Sequence, residues 1–283
     1  MTSSYPIDPP GEPSPEFVQA YAAAGNALQA MFDSLGGRVP PSSDFRWLKA
    51  DLTWPAFDHL TFGYRNKVFA VLVDVVVGGR SSLTIQERAR CCEAARTHDL
   101  VPCAFPVDGR TLQPLAAGWN LLHLDNGRPV VPEQLASDQR AGMSAWELGS
   151  FAIQVVRQHI EQPGRGRVLS ICDVPAVDPQ LWMEDPSGRR SWVLVRFFRS
   201  LRGDEKQAFA GFAGRQPQLA RSDGYFAAVS AASSEPVLFD LDGGVIPLSR
   251  RFDGTAPLCR GDGLYVKFAG LERLHVGSPS PRP

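Results

Sequence analysis

Residues 67–77, KVFAVLVDVVV, restrict the fold more than any other part of the chain, because the run is apolar, largely β-branched and interrupted only by Asp74. A strand with one wet face alternates apolar and polar side chains, whereas a strand covered on both faces does not. The segment therefore predicts an interior strand with layers packed on both sides, and helices are needed to supply those layers. One is predicted over 17–35, where Phe17, Tyr21, Ala24, Leu28, Met31 and Phe32 recur at helical spacing between Ser14 and the Gly36-Gly37 stop. Another is predicted over 84–97, followed by the apolar strand LVPCAFPV over 100–107. Strand, helix, strand at this spacing is the pattern of a crossover between parallel strands. Pro102 and Pro106, which cannot donate to a ladder, predict an edge position for the second strand. Asp125-Asn126-Gly127, between apolar stretches at 119–124 and 129–131, predicts a hairpin turn.

The second half opens on Ser144 followed by Glu147, the spacing of a capping box, ahead of the apolar positions Leu148, Phe151, Ile153, Val155, Val156 and Ile160. Gly164 and Gly166 end that helix. Extended stretches follow over 167–173, 178–183 and 191–198, the last two joined by a turn at Pro186-Ser187-Gly188. A helix is predicted over 205–213, then strands in GYFAAVSAAS, VLFDLDGGVIPLS and GLYVKFAGL. No internal repeat is apparent among the residues. The expected fold class is α+β, with an α/β first half and mixed sheets flanked by helices. The expected division is a disordered tail (1–15), a helix plus α/β lobe (16–140), an α+β lobe (141–276) and a second disordered tail (277–283).

The charges balance, 29 Lys+Arg against 30 Asp+Glu, so no global field exists to hold a polyanion or an anionic membrane. The longest apolar run is about half of what a spanning helix needs. The N-terminus, MTSSYPIDPPGEPSPEF, lacks the basic and apolar regions of a secretory signal. Five cysteines, two of them adjacent, make poor disulfide arithmetic and imply reduced thiols. A cytoplasmic protein with no membrane partner is expected, and the preference for Arg over Lys suggests a GC-rich bacterial genome.

Between Ser144 and Ser200 the order is helix, strand, strand, turn, strand, filled by FAIQVVRQHIEQPG, RVLSICDV, VDPQLWMEDPSGRR and SWVLVRFFRS. Here the chain resembles the restriction-endonuclease-like PD-(D/E)XK superfamily, in particular its Mrr-type members, which implies a nuclease-like core for the second half. In that family two carboxylates hold Mg²⁺ or Mn²⁺ against the scissile phosphate while a lysine orients the attacking water. Carried over residue by residue, the first acid is Asp178, or else the position of Gln180; the second acid falls at Leu194 and the lysine at Arg196. Leu194 cannot bind a metal. Glu147 on the preceding helix, and Glu184 or Asp185 in the turn, remain as substitutes. The resemblance thus implies a nuclease-like fold that has lost its metal site. The function expected is a non-catalytic bacterial binding protein of an immunity, defence-associated or regulatory kind, with a protein partner and no cofactor. The alternative is a divergent nuclease using Mg²⁺ or Mn²⁺ at Asp178, Glu147, Glu184 and Arg196. Since Arg196 shares its strand face with Trp192, Leu194 and Phe198, its guanidinium needs an acidic partner, Asp178 or Glu147.

Five arginines (Arg189, Arg190, Arg196, Arg199, Arg202) stand between Pro186 and Arg202 with no acid among them and with Trp192, Phe197 and Phe198 interleaved. Such a strip suits phosphate contact with base stacking, and makes Arg189, Arg190, Arg196, Arg199 and Trp192 binding candidates, against a solvated hairpin face. Residues 237–246, VLFDLDGGVI, are similar to the first motif of haloacid-dehalogenase phosphatases, with Asp240 and Asp242 in the reactive places. Gly244 replaces the motif's Thr, however, and too few residues follow for that fold, so a hairpin turn is expected. Cys92, His98 and Cys103 lack the spacing and the fourth ligand of a zinc site.

Overall fold

The computed structural model describes residues 13–36, 45–51, 57–174, 177–209, 211–212, 219, 222–235, 244–247 and 250–274. Most of both predicted tails, and Asp240 with Asp242, lie outside the described residues. The apolar run becomes β3 (Lys67–Val77), and it is interior as expected. Phe69, Val71 and Val73 point to one face, where α1 (Pro15–Gly36) lays down Ala20, Ala24, Leu28 and Phe32. Val68, Ala70 and Leu72 point to the other, against Cys91 and Ala95 of α2 (Ile85–His98). Asp74, the one acid in the run, is buried and accepts from the Ser81 and Ser82 hydroxyls and from Arg88. α2 starts at Thr84, whose hydroxyl accepts the Glu87 N–H while the Glu87 carboxylate accepts the Thr84 N–H.

β1 (Phe45–Lys49), β2 (Leu60–Tyr64) and β3 form an antiparallel meander, extended by the short β4 (Arg80–Ser81). After α2, β5 (Val101–Asp108) runs parallel to β3, and β6 (Leu122–His123) pairs antiparallel to β5, giving the order β1-β2-β3-β5-β6. The Asp125-Asn126-Gly127 turn closes as predicted, with the His123 N–H donating to the Arg128 carbonyl at 2.8 Å. A short helix, α3 (Pro132–Leu135), follows. β5 corrects the expectation of an edge strand. The Pro102 and Pro106 carbonyls accept from Leu124 and Leu115, on the side away from β3, so the missing N–H groups fall where the two-residue β6 leaves few ladder positions to fill.

The second half begins with α4 (Ala145–Ile160), capped by the predicted Ser144–Glu147 box. β7 (Arg167–Ile171), β8 (Leu181–Glu184) and β9 (Arg190–Phe197) form a second antiparallel meander. The helix predicted over 205–213 is instead a 3-10 turn, Glu205–Phe209, with Gly211 following it at a φ of 74° that stops a right-handed helix. β10 (Asp223–Ser233) is parallel to β9, and β11 (Leu264–Phe268) and β12 (Glu272–Leu274) pair antiparallel to β10. Gly224, opposite Trp192 in the β9–β10 register, has to be glycine, because a Cβ there would fall 2.1 Å from the indole.

The protein is thus α+β, with two mixed six-stranded sheets. The halves repeat one order: a helix, a three-stranded meander, a crossover, a strand parallel to the third, and a closing antiparallel strand. The repetition is of topology, in which the same places are buried by different residues, so no residue repeat announces it. α4 belongs to both halves. Ala152, Ile153, Val156 and Ile160 fill the core of the second sheet, while Trp146 inserts from the first turn of the helix beside Val68, Ala70 and Leu72 of the first. Among the described residues no helix is long and apolar enough to cross a membrane.

Candidate functional site

Asp178, Gln180 and Arg196 do come together. The Arg196 Nη2 donates to both Asp178 oxygens at 2.7 and 2.8 Å, and Nη1 donates to Gln180 Oε1 at 3.0 Å. The Gln180 amide in turn donates to Asp178 Oδ1 at 2.6 Å, and the guanidinium lies over the Phe209 ring. Leu194 is wholly buried beside Trp192 and Phe226. The substitute acids lie elsewhere. Glu184, at the far end of β8, pairs with Arg167 at 3.0 Å; Asp185 closes the turn onto Ser187 and Arg189; Glu147 pairs with Arg260. Glu147 and Glu184, the substitutes open to a divergent nuclease, therefore stand apart from Asp178. Each has a nearer arginine, supplied by β7 and by the chain just before β11. A hard cation wants several free oxygens, and both oxygens of Asp178 are held by one guanidinium, so the residues do not fit Mg²⁺ or Mn²⁺. Among the described residues no three of His, Cys, Asp and Glu are grouped to hold a metal.

The arginine strip does not form one surface. Trp192 is fully buried, with its Nε1 donating to the Leu219 carbonyl, and so is a core residue rather than a stacking platform. Arg189 pairs with Asp185 and with Asp223 of the neighbouring strand, acids that the 186–202 window does not contain. The exposed Arg189 and Arg190 lie at one end of the eight-residue β9 and Arg199 beyond the other, roughly 26 Å apart. All five cysteines are free and buried. Burial holds the Cys92 thiol up at about 11 and the Cys172 thiol at about 12, so neither is a thiolate nucleophile at neutral pH.

Charged groups that periodicity does not reveal instead gather where the halves meet. Lys49, at the end of β1 and 3% exposed, donates to Asp58 at 3.0 Å and to Asp173, just after β7, at 3.1 Å. Asp58 also accepts from the Thr61 hydroxyl. Burial opposes the charge on Lys49, but the two carboxylates outweigh it and raise its pKa, whereas burial pushes the Asp58 carboxyl up. Arg260 reaches across to Glu147 at 2.9 Å, to Asp99 at 2.9 Å and to the Asn66 carbonyl at 3.0 Å. Arg157 of α4 pairs with Asp51, and Arg140 with Asp262.

His59 sits beside this network and accepts the Val73 N–H on Nδ1 at 2.8 Å. Burial, then the positive charge of Lys49, push its imidazole down to about 4 from 6.5. A depressed folded pKa means that the unfolded chain takes the proton first, so His59 contributes stability above pH 6.5 that is lost as the pH falls towards 4, up to about 3 kcal/mol. His59→Asn, which keeps an acceptor for Val73, is expected to flatten the acid limb of stability between those values, as read by denaturation midpoints at pH 7, 5.5 and 4.

A cavity of about 550 Å³ lies beside this network between β1, α4 and β11. Four consecutive residues of β1, 46–49, line it, with Ala50 and Asp51 just beyond the strand's end. Side chains of a strand alternate between faces, so a void touching all four runs along the strand's edge. From α4 come Glu147, Ser150, Phe151, Gln154, Val155 and Gln158, a single helical stripe. From β11 and the residues before it come Asp262, Leu264 and Val266, every second residue and hence one face. Arg46 leans across Gly63, where even a Cβ would lie 3.1 Å from its Nε. Its guanidinium has no hydrogen-bond or ion-pair partner among the described residues, and Nη2 is buried. Trp146, which also lines the cleft and is fully buried, has an Nε1 with no acceptor among the described residues.

No curated protein and no solved structure matches the chain. Residues 146–274, less than half of the chain, match the family model of a domain of unknown function, DUF8840; the stretch runs from the first turn of α4 to the end of β12, which makes the second lobe the part similar to that family.

Proposed function

We propose that the chain is a non-catalytic binding protein that engages a protein partner, with a second lobe on a nuclease-like PD-(D/E)XK plan whose metal site has been lost. One observation carries this reading: Asp178, Glu147 and Glu184, the carboxylates a nuclease would need, are each taken by an arginine of the chain. The order helix, strand, strand, turn, strand from α4 to β9 supports the likeness of plan. The five free, buried thiols suit a reducing cytoplasm, and an immunity, defence-associated or regulatory role is in keeping with a partner-binding protein that does no chemistry. The test is incubation of the full chain with plasmid DNA, single-stranded DNA and RNA, with Mg²⁺ or Mn²⁺, beside Asp178→Asn. No cleavage is expected under any condition. Metal-dependent cleavage that disappears in Asp178→Asn would overturn the reading in favour of a divergent nuclease.

A further inference from the structure

We infer that the cleft between β1, α4 and β11 docks an extended, acidic segment of a partner protein, added as a strand along the free edge of β1. The inference rests on the binding-protein reading above and names the place and the chemistry of the contact. β1 pairs with β2 on one side only; on its other side no strand lies among the described residues, and there the cleft follows it from Arg46 to its end at Lys49. An edge of unpaired N–H and C=O groups bordering a cavity is what strand addition uses for affinity, with side-chain pockets adding selectivity. The five residues of β1 set the length of the added segment at about five residues.

The walls indicate what the segment carries. Phe151 and Val155 of α4, with Leu264 and Val266 of β11, make an apolar floor and far wall, and Val266 is 45% exposed although it stands in line with core-packed Leu264 and Phe268. Alternate side chains of an added strand would cover this surface. The charged groups of the cleft are otherwise satisfied internally: Lys49 by Asp58 and Asp173, Asp51 by Arg157, Glu147 by Arg260 and Asp262 by Arg140. Arg46 alone among them makes no hydrogen bond or ion pair within the described residues; Glu147 and Asp262, the carboxylates whose charge it feels, are each held by another arginine. A guanidinium pairs best with a carboxylate, and a residue directly opposite Arg46 on an added strand would bring its Cβ within about 5 Å, the reach of an Asp or Glu. Trp146 Nε1 is a second buried donor left without an acceptor at the same cleft.

The test is to pan a phage-displayed random dodecapeptide library against the full chain and titrate the enriched sequences as synthetic peptides. Enriched peptides should carry an Asp or Glu with apolar residues at alternate positions. Arg46→Met, which keeps the stem over Gly63, and Val266→Asp, which charges the apolar wall, should each weaken binding about tenfold or more. N-methylation of alternate peptide amides should abolish it, because strand addition needs those N–H groups. Melting curves of both variants matching the unaltered chain show that the loss is local, and the methylated peptides test the inference even where a variant fails to fold. If no peptide is enriched, or if the enriched peptides bind both variants as tightly as the unaltered chain or tolerate N-methylation, the inference is overturned. The binding-protein reading would survive that result, since it fails only on metal-dependent cleavage.

Discussion

Replacing Arg260 by methionine is expected to destabilise the fold by about 3–5 kcal/mol, the cost of leaving a buried charge without its partner. Glu147 is 3% exposed and would keep its negative charge among Trp146 and the first turn of α4, while Asp99 and the Asn66 carbonyl would lose a donor. Methionine preserves most of the side chain's volume, so the loss reports charge rather than a cavity. Urea denaturation reads it as a lower midpoint at an unchanged slope. Glu147→Gln added to Arg260→Met should restore much of the stability, because the amide oxygen still accepts the Ser144 N–H of the capping box while the buried charge is gone. A variant with the midpoint of the unaltered chain would mean that this link between the halves contributes nothing.

The second large effect is expected at Lys49. Among the described residues its ammonium is the only cation between Asp58 and Asp173, both of which are buried, so Lys49→Met leaves two carboxylates facing each other in a dry site. A loss of about 3–5 kcal/mol is expected at pH 7. The sign of its pH dependence follows from Asp58, whose carboxyl burial already pushes up. Without the ammonium it moves further up, and the folded chain then holds a proton that the unfolded chain has released. Stability of the variant therefore rises as the pH falls, and its deficit against the unaltered chain is greatest at pH 7 and shrinks towards pH 5. Denaturation midpoints at the two values measure it, and a deficit that is constant or grows on acidification would contradict the assignment. The Asp178–Arg196 pair is a milder case, with side chains 16% and 26% exposed, so water takes part of the charge when either partner is removed.

The need of Arg196 for an acid, Asp178 or Glu147, was legible in the residues and the larger networks were not, and distance along the chain explains why. Asp178 and Arg196 are 18 residues apart within one hairpin, so strand parity alone brings them to the same face. Glu147 and Arg260 are 113 residues apart, and Lys49 and Asp173 are 124 apart. No local period relates such residues; their meeting depends on how α4 seats Trp146 in one half and Val156 in the other. The arginine strip breaks up for the same reason, since Asp223, which takes Arg189, stands 34 residues further along the chain. The helix expected over 205–213 shows the limit of composition as a guide, because a favourable opening at Glu205 is cut short within two turns by Gly211.

By itself the sequence determined the double burial of β3, the cap of α4, the turns at Asn126-Gly127 and Ser187-Gly188, and the mixed sheets of an α+β chain. Each of these rests on residues within about four positions of one another, or on a period of 2 or 3.6, which a linear reading contains. The tertiary structure alone decided that the two halves share one topology, that Glu147 serves Arg260 rather than a metal, and that a cleft opens along β1 in which Arg46 has no ion-pair partner among the described residues. These depend on which faces of distant segments are pressed together. Packing chooses those partners only after the elements exist, so no neighbouring residue records the choice.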